Sequence, residues 1–78
     1  MKQDFITFRS ITPAQRAQRQ LRGNGIEAIM QRTPAYLRER GCSYCLRVDP
    51  GKGERALGLL EAAGIPYSKY FRAGDVDL

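Results

Sequence analysis

The chain has no histidine and no tryptophan, and only two cysteines, Cys42 and Cys45, among its 78 residues. With no imidazole present, a thiolate is the one strongly nucleophilic, redox-active or soft metal-binding group available. Two cysteines are too few for a secreted disulfide scaffold, and in a reducing compartment a close pair points to chemistry or metal rather than a staple. No apolar run approaches the roughly 20 residues of a membrane span. Met1-Lys2-Gln3-Asp4 lacks the apolar stretch of a signal peptide and leads into strand-like sequence, so the expected location is the cytoplasm, with no membrane association. Acidic residues are also sparse. Glu27, Glu39, Glu54 and Glu61 stand apart from one another, so no carboxylate pair points to acid–base catalysis.

What is present fits one small soluble domain spanning residues 1–78, because a chain this short buries only about 60–65% of its unfolded surface and cannot divide that core. The net charge of +5 comes from ten arginines and three lysines against eight acidic residues. Arginine's planar fork suits phosphate, carboxylate and sulfur oxyanions. The charge is scattered, however, with no block of five basic residues, and a solvated surface accounts for most of it. Nucleic acid is therefore not the expected partner.

Periodicity places four strands and two main helices. Asp4–Ser10 reads as a strand with Ile6 and Phe8 on one face and Phe5, Thr7 and Arg9 on the other. Thr12-Pro13 supplies a helix cap followed by proline, and Ala14, Ala17 and Leu21 form a narrow buried stripe on a helix from Pro13 to about Arg22. Gly23-Asn24-Gly25 ends it. A second strand covers Ile26 to about Arg32. Thr33-Pro34 repeats the cap-then-proline signal, predicting a short helix over Pro34–Arg40 that Gly41 closes. Tyr44–Val48 reads as the third strand, with Tyr44, Leu46 and Val48 on one face and Cys45 and Arg47 on the other. Asp49-Pro50 is expected to cap a last helix ending at Gly64, and Tyr67–Arg72 to form the fourth strand. The tail from Ala73 is expected to fray.

Ala17, Leu21, Gly25 and Ile26 recur 39 residues later as Ala56, Leu60, Gly64 and Ile65. This weak internal repeat of a strand–helix–strand unit implies βαββαβ order. The expected fold is α+β, ferredoxin-like, with a four-stranded antiparallel sheet and both main helices on one face. The other face, carrying Phe5, Thr7, Arg9, Cys45 and Arg47, would then lack a helical cover and be left to bind a partner or form a homodimer.

The cysteines can be read in several ways. Cys42-Ser43-Tyr44-Cys45 has the C-x-x-C spacing of a dithiol redox pair, but it follows a helix C-terminus, whose dipole opposes a thiolate, and runs into a strand. In a fully extended strand, positions three apart are roughly 10 Å from each other, beyond the ~7 Å Cα limit for a disulfide. Zinc would need carboxylates or two chains each contributing both thiols, so no metal site is assigned and no cofactor is expected. Both cysteines also admit a plain packing role. A carrier thiol would be accessible and its thiolate favoured by nearby cations, for which Arg9, Arg38, Arg40 and Arg47 are the candidates. Gly51-Lys52-Gly53-Glu54 lacks the spacing of a phosphate loop and reads as a flexible helix start. Tyr36, Tyr44, Tyr67 and Tyr70 come without an RNA-binding aromatic signature, so strand packing is the expected role.

From Phe8-Arg9-Ser10 through Gln31-Arg32-Thr33-Pro34 to Gly41-Cys42-Ser43-Tyr44-Cys45-Leu46-Arg47-Val48, the chain resembles the family of small bacterial domains named putative Se/S carrier protein-like. The likeness runs from Phe5 to about Arg72. Its most specific part is Thr33-Pro34, a spacer, and a cysteine beside the strand Leu46-Arg47-Val48. The family usually has Cys-Gly at the centre. Cys42 stands at that cysteine and Ser43 replaces the glycine, while Cys45 is a less regular feature. The resemblance implies that Cys42 carries sulfur or selenium as a persulfide or selenosulfide. On that reading of the residues, Cys45 would resolve or assist, and Arg9, Arg40 and Arg47 would favour the thiolate or bind an anion. The resemblance also implies an accessory carrier rather than a turnover enzyme, served by a cysteine desulfurase or a selenium-handling enzyme. The alternative is a non-catalytic interaction module that binds a protein partner or small anion on its open sheet face.

Overall fold

The computed structural model describes residues 4–33, 44–49 and 51–71. The elements run β1 (Asp4–Phe8), α1 (Ile11–Gly23), β2 (Ala28–Arg32), β3 (Tyr44–Val48), α2 (Gly53–Ala62) and β4 (Tyr70–Phe71). The short helix expected over 34–40 lies outside the described residues. All strand pairs are antiparallel, in the order β2-β3-β1-β4. The protein is thus α+β, with a four-stranded antiparallel sheet and two helices.

The two strand faces separate as alternation requires. Ile6, Phe8, Leu46, Val48 and Ala28 join Ala14, Ala17 and Leu21 of α1 and Ala56 and Leu60 of α2 in one buried cluster, so both helices cover the same sheet face. Fully burying a side chain such as Leu21, Leu60 or Phe8 stabilises the fold by about 1.5–3 kcal/mol each. Tyr44, Tyr67 and Tyr70 pack partly buried against this cluster, which is the structural role expected of them.

The internal repeat corresponds to a shared helix ending. After α1, Gly25 takes φ 77°, its N–H donates to Arg22 O at 3.1 Å, and Ile26 N–H donates to Leu21 O at 2.9 Å. After α2, Gly64 takes φ 69°, its N–H donates to Glu61 O at 3.1 Å, and Ile65 N–H donates to Leu60 O at 2.9 Å. Each is a Schellman cap, whose glycine supplies the left-handed residue and whose following isoleucine folds back onto the buried leucine. The recurring alanine lies one turn earlier in the same buried stripe.

Both helix starts differ from expectation. Ser10, in extended conformation, precedes α1 directly, so Pro13 is the third helical residue and not the first. That position is still within the first turn, where a missing N–H costs nothing. At α2, Lys52 N–H donates to Asp49 O at 3.1 Å across a turn in which Gly51 adopts φ 86°, and the helix begins only at Gly53. Asp49 is therefore spent on the turn.

The carboxylate at the start of α2 belongs instead to Asp4, 49 residues earlier. Gly53 N–H donates to Asp4 Oδ2 at 3.0 Å, and the Tyr70 hydroxyl donates to the same oxygen at 2.9 Å. Asp4 is 1% exposed on the helix-covered face, where a buried carboxylate needs donors and the N-terminus of a helix provides them. One side chain thereby ties β1, α2 and β4 together. It also occupies the place an anion would take at Gly51-Lys52-Gly53, consistent with reading that motif as a helix start.

Candidate functional site

The sheet face away from the helices is built in cross-strand rows. One row holds Gln31, Cys45 and Thr7, and the next holds Ile29, Arg47, Phe5 and Phe71. Thr7 ends the first row against the approach to β4. Its N–H donates to Lys69 O at 2.8 Å, its hydroxyl accepts from Lys69 N–H at 3.0 Å, and its carbonyl accepts from Ser68 N–H at 2.8 Å. The expectation of a bare face is corrected here. Phe5 is 6% exposed and Cys45 and Thr7 are at most 1% exposed, with Phe71 packed against Phe5 and Cys45. Alternation identifies which residues share a face, but cover was expected only from the helices, and β4 contributes an aromatic ring of its own.

Cys45 is the centre of this arrangement. It carries a free thiol and sits on the central strand β3, flanked by Gln31 on β2 and Thr7 on β1. Burial pushes this thiol above the ordinary thiol range. Side-chain hydrogen bonds with Thr33 and Gln31, and the charge of Arg47, act against burial without cancelling it. The site thus combines a desolvated, protonated sulfur with polar groups and a cation that would each favour its anion.

Arg47, two residues along β3, lies on the same face between Ile29 and Phe5. Its Nε is buried without a hydrogen-bond partner among the described residues. Arg9 is exposed at the end of β1, where it lines a depression of about 210 Å3 with Ser10, Pro13, Pro66, Tyr67 and Ser68. The structure therefore brings Arg47 to Cys45, whereas Arg9 serves a different part of the surface. Cys42, Arg38 and Arg40 lie outside the described residues. β3 enters the sheet at Tyr44, opposite Phe8 and Arg32, at the end where β1 hands over to α1.

Gln31 and Thr33 were not singled out from sequence as contacts of the thiol. The signal for Gln31 was the register of β2 on β3, which alternation within one strand cannot supply. Thr33 carried a competing signal, since threonine before proline reads first as a helix cap. Among the described residues no group of three or more Cys, Asp or Glu side chains is arranged to hold a metal ion, and no helix is long and apolar enough to cross a membrane.

No curated protein and no solved structure matches the chain. A family model does, over residues 4–72, which take in all four strands, both helices and both cysteines, and the chain accordingly belongs to the family described as Putative Se/S carrier protein-like.

Proposed function

We propose that this protein carries sulfur or selenium covalently on Cys42, as a persulfide or selenosulfide, acting in the cytoplasm as an accessory to a cysteine desulfurase or a selenium-handling enzyme. The observation that carries the reading, beside family membership, is the state of Cys45. A thiol that is out of solvent and held protonated is poorly placed to attack a donor, which leaves Cys42 as the attacking sulfur of this two-cysteine chain. Loading is a sulfane transfer. The Cys42 thiolate attacks the terminal sulfur of the donor's persulfide, a new S–S bond forms at Cys42, and the donor's S–S bond breaks with its electron pair leaving on the donor thiolate. The selenium case is the same displacement at selenium. Arg9, Arg40 and Arg47 supply the positive charge that favours the Cys42 thiolate and the loaded anion, and Cys45 assists from within the sheet. The order βαββαβ and the strand order, read from its other edge as β4-β1-β3-β2, support a ferredoxin-like arrangement.

Intact-mass spectrometry tests the proposal. After incubation with a cysteine desulfurase and cysteine or selenocysteine, the wild type should gain one sulfur or selenium atom, Cys45→Ala should still gain it, and Cys42→Ser should not. Absence of any adduct on the wild type would sink the carrier reading.

A second reading, a non-catalytic interaction module, draws on Ile29. This side chain is 40% exposed and shares a cross-strand row with Arg47 and Phe71, so a partner or a second copy could cover that row. Under it, Ile29→Asp should abolish association measured by sedimentation, with Cys42→Ser having no effect.

A further inference from the structure

We infer that the outer edge of β2 is a strand-addition site for a protein partner that contributes an extended segment alternating acidic with apolar residues. This edge is a different surface from the sheet face considered above, and its use does not depend on whether Cys42 carries sulfur.

The direction of the backbone groups follows from the printed pairing of one residue. Thr7 turns its N–H and C=O toward the β4 side of β1, where they meet Lys69 O and Ser68 N–H, each at 2.8 Å. These groups alternate along an antiparallel strand, and directly opposite residues either face each other or face apart. Ile6 and Phe8 therefore bond to β3, Cys45 and Arg47 bond to β2, and Ile29 and Gln31 bond back to β3. Ala28, Met30 and Arg32 are left pointing out of the sheet. The Ala28 carbonyl accepts from Gln18 Nε2 at 2.9 Å, as this direction requires, whereas the outward groups of Met30 and Arg32 have no hydrogen-bond partner among the described residues.

The edge is also unguarded. Natural edge strands are blunted by shortness, proline, lysine or a bulge. β2 runs for five residues in unbroken register on β3 with neither proline nor lysine, and Ile29 beside the edge is 40% exposed. β4, at the opposite edge, pairs through two residues directly after Lys69.

A backbone edge is matched by another backbone, because an extended polypeptide offers donors and acceptors in the same alternation, whereas phosphates offer acceptors only. In an added antiparallel strand, the residues opposite Ala28, Met30 and Arg32 share their face, the one toward the helices. On that face Arg32 is exposed, and α1 sets Arg19 and Arg22 with Gln15 and Gln18 around a shallow depression. The Gln18 bond to Ala28 places this depression at the edge, so acidic side chains fit here. Glu27 precedes the strand, and its pair with Arg22 at 3.8 Å is more than half exposed on both sides and weak. On the other face, Ile29 calls for an apolar neighbour. A second copy adding its own β2 would bring Arg19, Arg22 and Arg32 of both chains to one side of the seam, which like-charge repulsion disfavours.

Fluorescence anisotropy at low salt tests the site with a short, labelled, end-blocked peptide alternating aspartate and valine. Antiparallel addition turns the aspartate N–H groups toward β2 and the valine N–H groups away. N-methylation of the aspartates should therefore weaken binding by about tenfold or more, and N-methylation of the valines should leave it unchanged. Arg32→Glu should weaken it by about fivefold. Hydrogen exchange should show the Met30 and Arg32 amides fast in the free protein and slowed by the peptide, with Ile29 and Gln31 slow in both. Absence of binding, an effect of valine methylation equal to or greater than that of aspartate methylation, or equal binding of polyglutamate of matched charge would overturn the inference. So would slow exchange at Met30 and Arg32 that strengthens with protein concentration alone, which would give the edge to a second copy.

Discussion

Two glycines of one helix should respond to alanine with opposite signs. Gly58 lies inside α2 with open space where a Cβ would be placed, so Gly58→Ala should stabilise the fold by about 0.5–1 kcal/mol through reduced backbone entropy in the unfolded chain. Gly53, the first residue of α2, is buried, and a Cβ there would collide with the Tyr70 ring and hydroxyl and with the Asp4 carboxylate, well inside van der Waals contact. Helix propensity favours Ala at this position by at most about 1 kcal/mol. Against that stand overpacking, about 1–3 kcal/mol, and loss of a charge-assisted hydrogen bond to Asp4, about 1.5–3 kcal/mol. The net expectation is a destabilisation of about 2–4 kcal/mol. A chain of this length has a total stability of only about 4–12 kcal/mol, so the effect is large. Urea titration followed by far-UV circular dichroism reads it directly: with a slope near 1 kcal/mol/M for so small a domain, the midpoint should fall by about 2–4 M. A Gly53→Ala midpoint at or above wild type would refute the anchoring of β1, α2 and β4 through Asp4.

Asp4→Ala should cost about 2–3 kcal/mol in the same titration, because it strips a buried partner from both Gly53 N–H and the Tyr70 hydroxyl. Gly25→Ala and Gly64→Ala should each cost about 1–2 kcal/mol and by similar amounts, since both occupy the left-handed position of the same cap; unequal costs would mean that the repeat is not mirrored in energy. Cys45 should resist iodoacetamide in the folded protein and react only in denaturant, as peptide mapping would record. Its raised thiol also sets a pH dependence: the unfolded chain loses this proton first, so the contribution to stability is intact below the ordinary thiol pKa of about 8.5 and is lost as pH climbs through the higher folded value. Cys45→Ala should therefore remove part of the alkaline decline in stability expected for the wild type.

Much of the fold was legible because its signals are local. The stripe Ala14, Ala17, Leu21 and the alternation of Ile6 with Phe8 state which faces are buried, and the recurrence of Ala17, Leu21, Gly25 and Ile26 as Ala56, Leu60, Gly64 and Ile65 records two copies of one helix ending. Where local signals competed, the boundary moved. Ser10 displaced Thr12 at the start of α1, and the turn through Gly51 delayed α2 past Asp49. One signal went unused: Asp4 shares a face with Ile6 and Phe8, and a carboxylate on an apolar face requires a partner somewhere in the fold.

Sequence by itself determined the inventory of this protein: two thiols without histidine, an arginine-rich charge, and the periodicities that make four strands and two helices. These follow from bonding within a few residues, where spacing alone decides what a side chain can reach. Tertiary structure decided what the inventory does. Register across β2, β3 and β1 set Gln31 and Thr7 beside Cys45, the folded chain closes that sulfur from water, and packing delivered the carboxylate of Asp4 to a helix start 49 residues away. Such contacts depend on which distant strands become neighbours, and a thiol's reactivity depends on the water and charge around it, neither of which is written in its position along the chain.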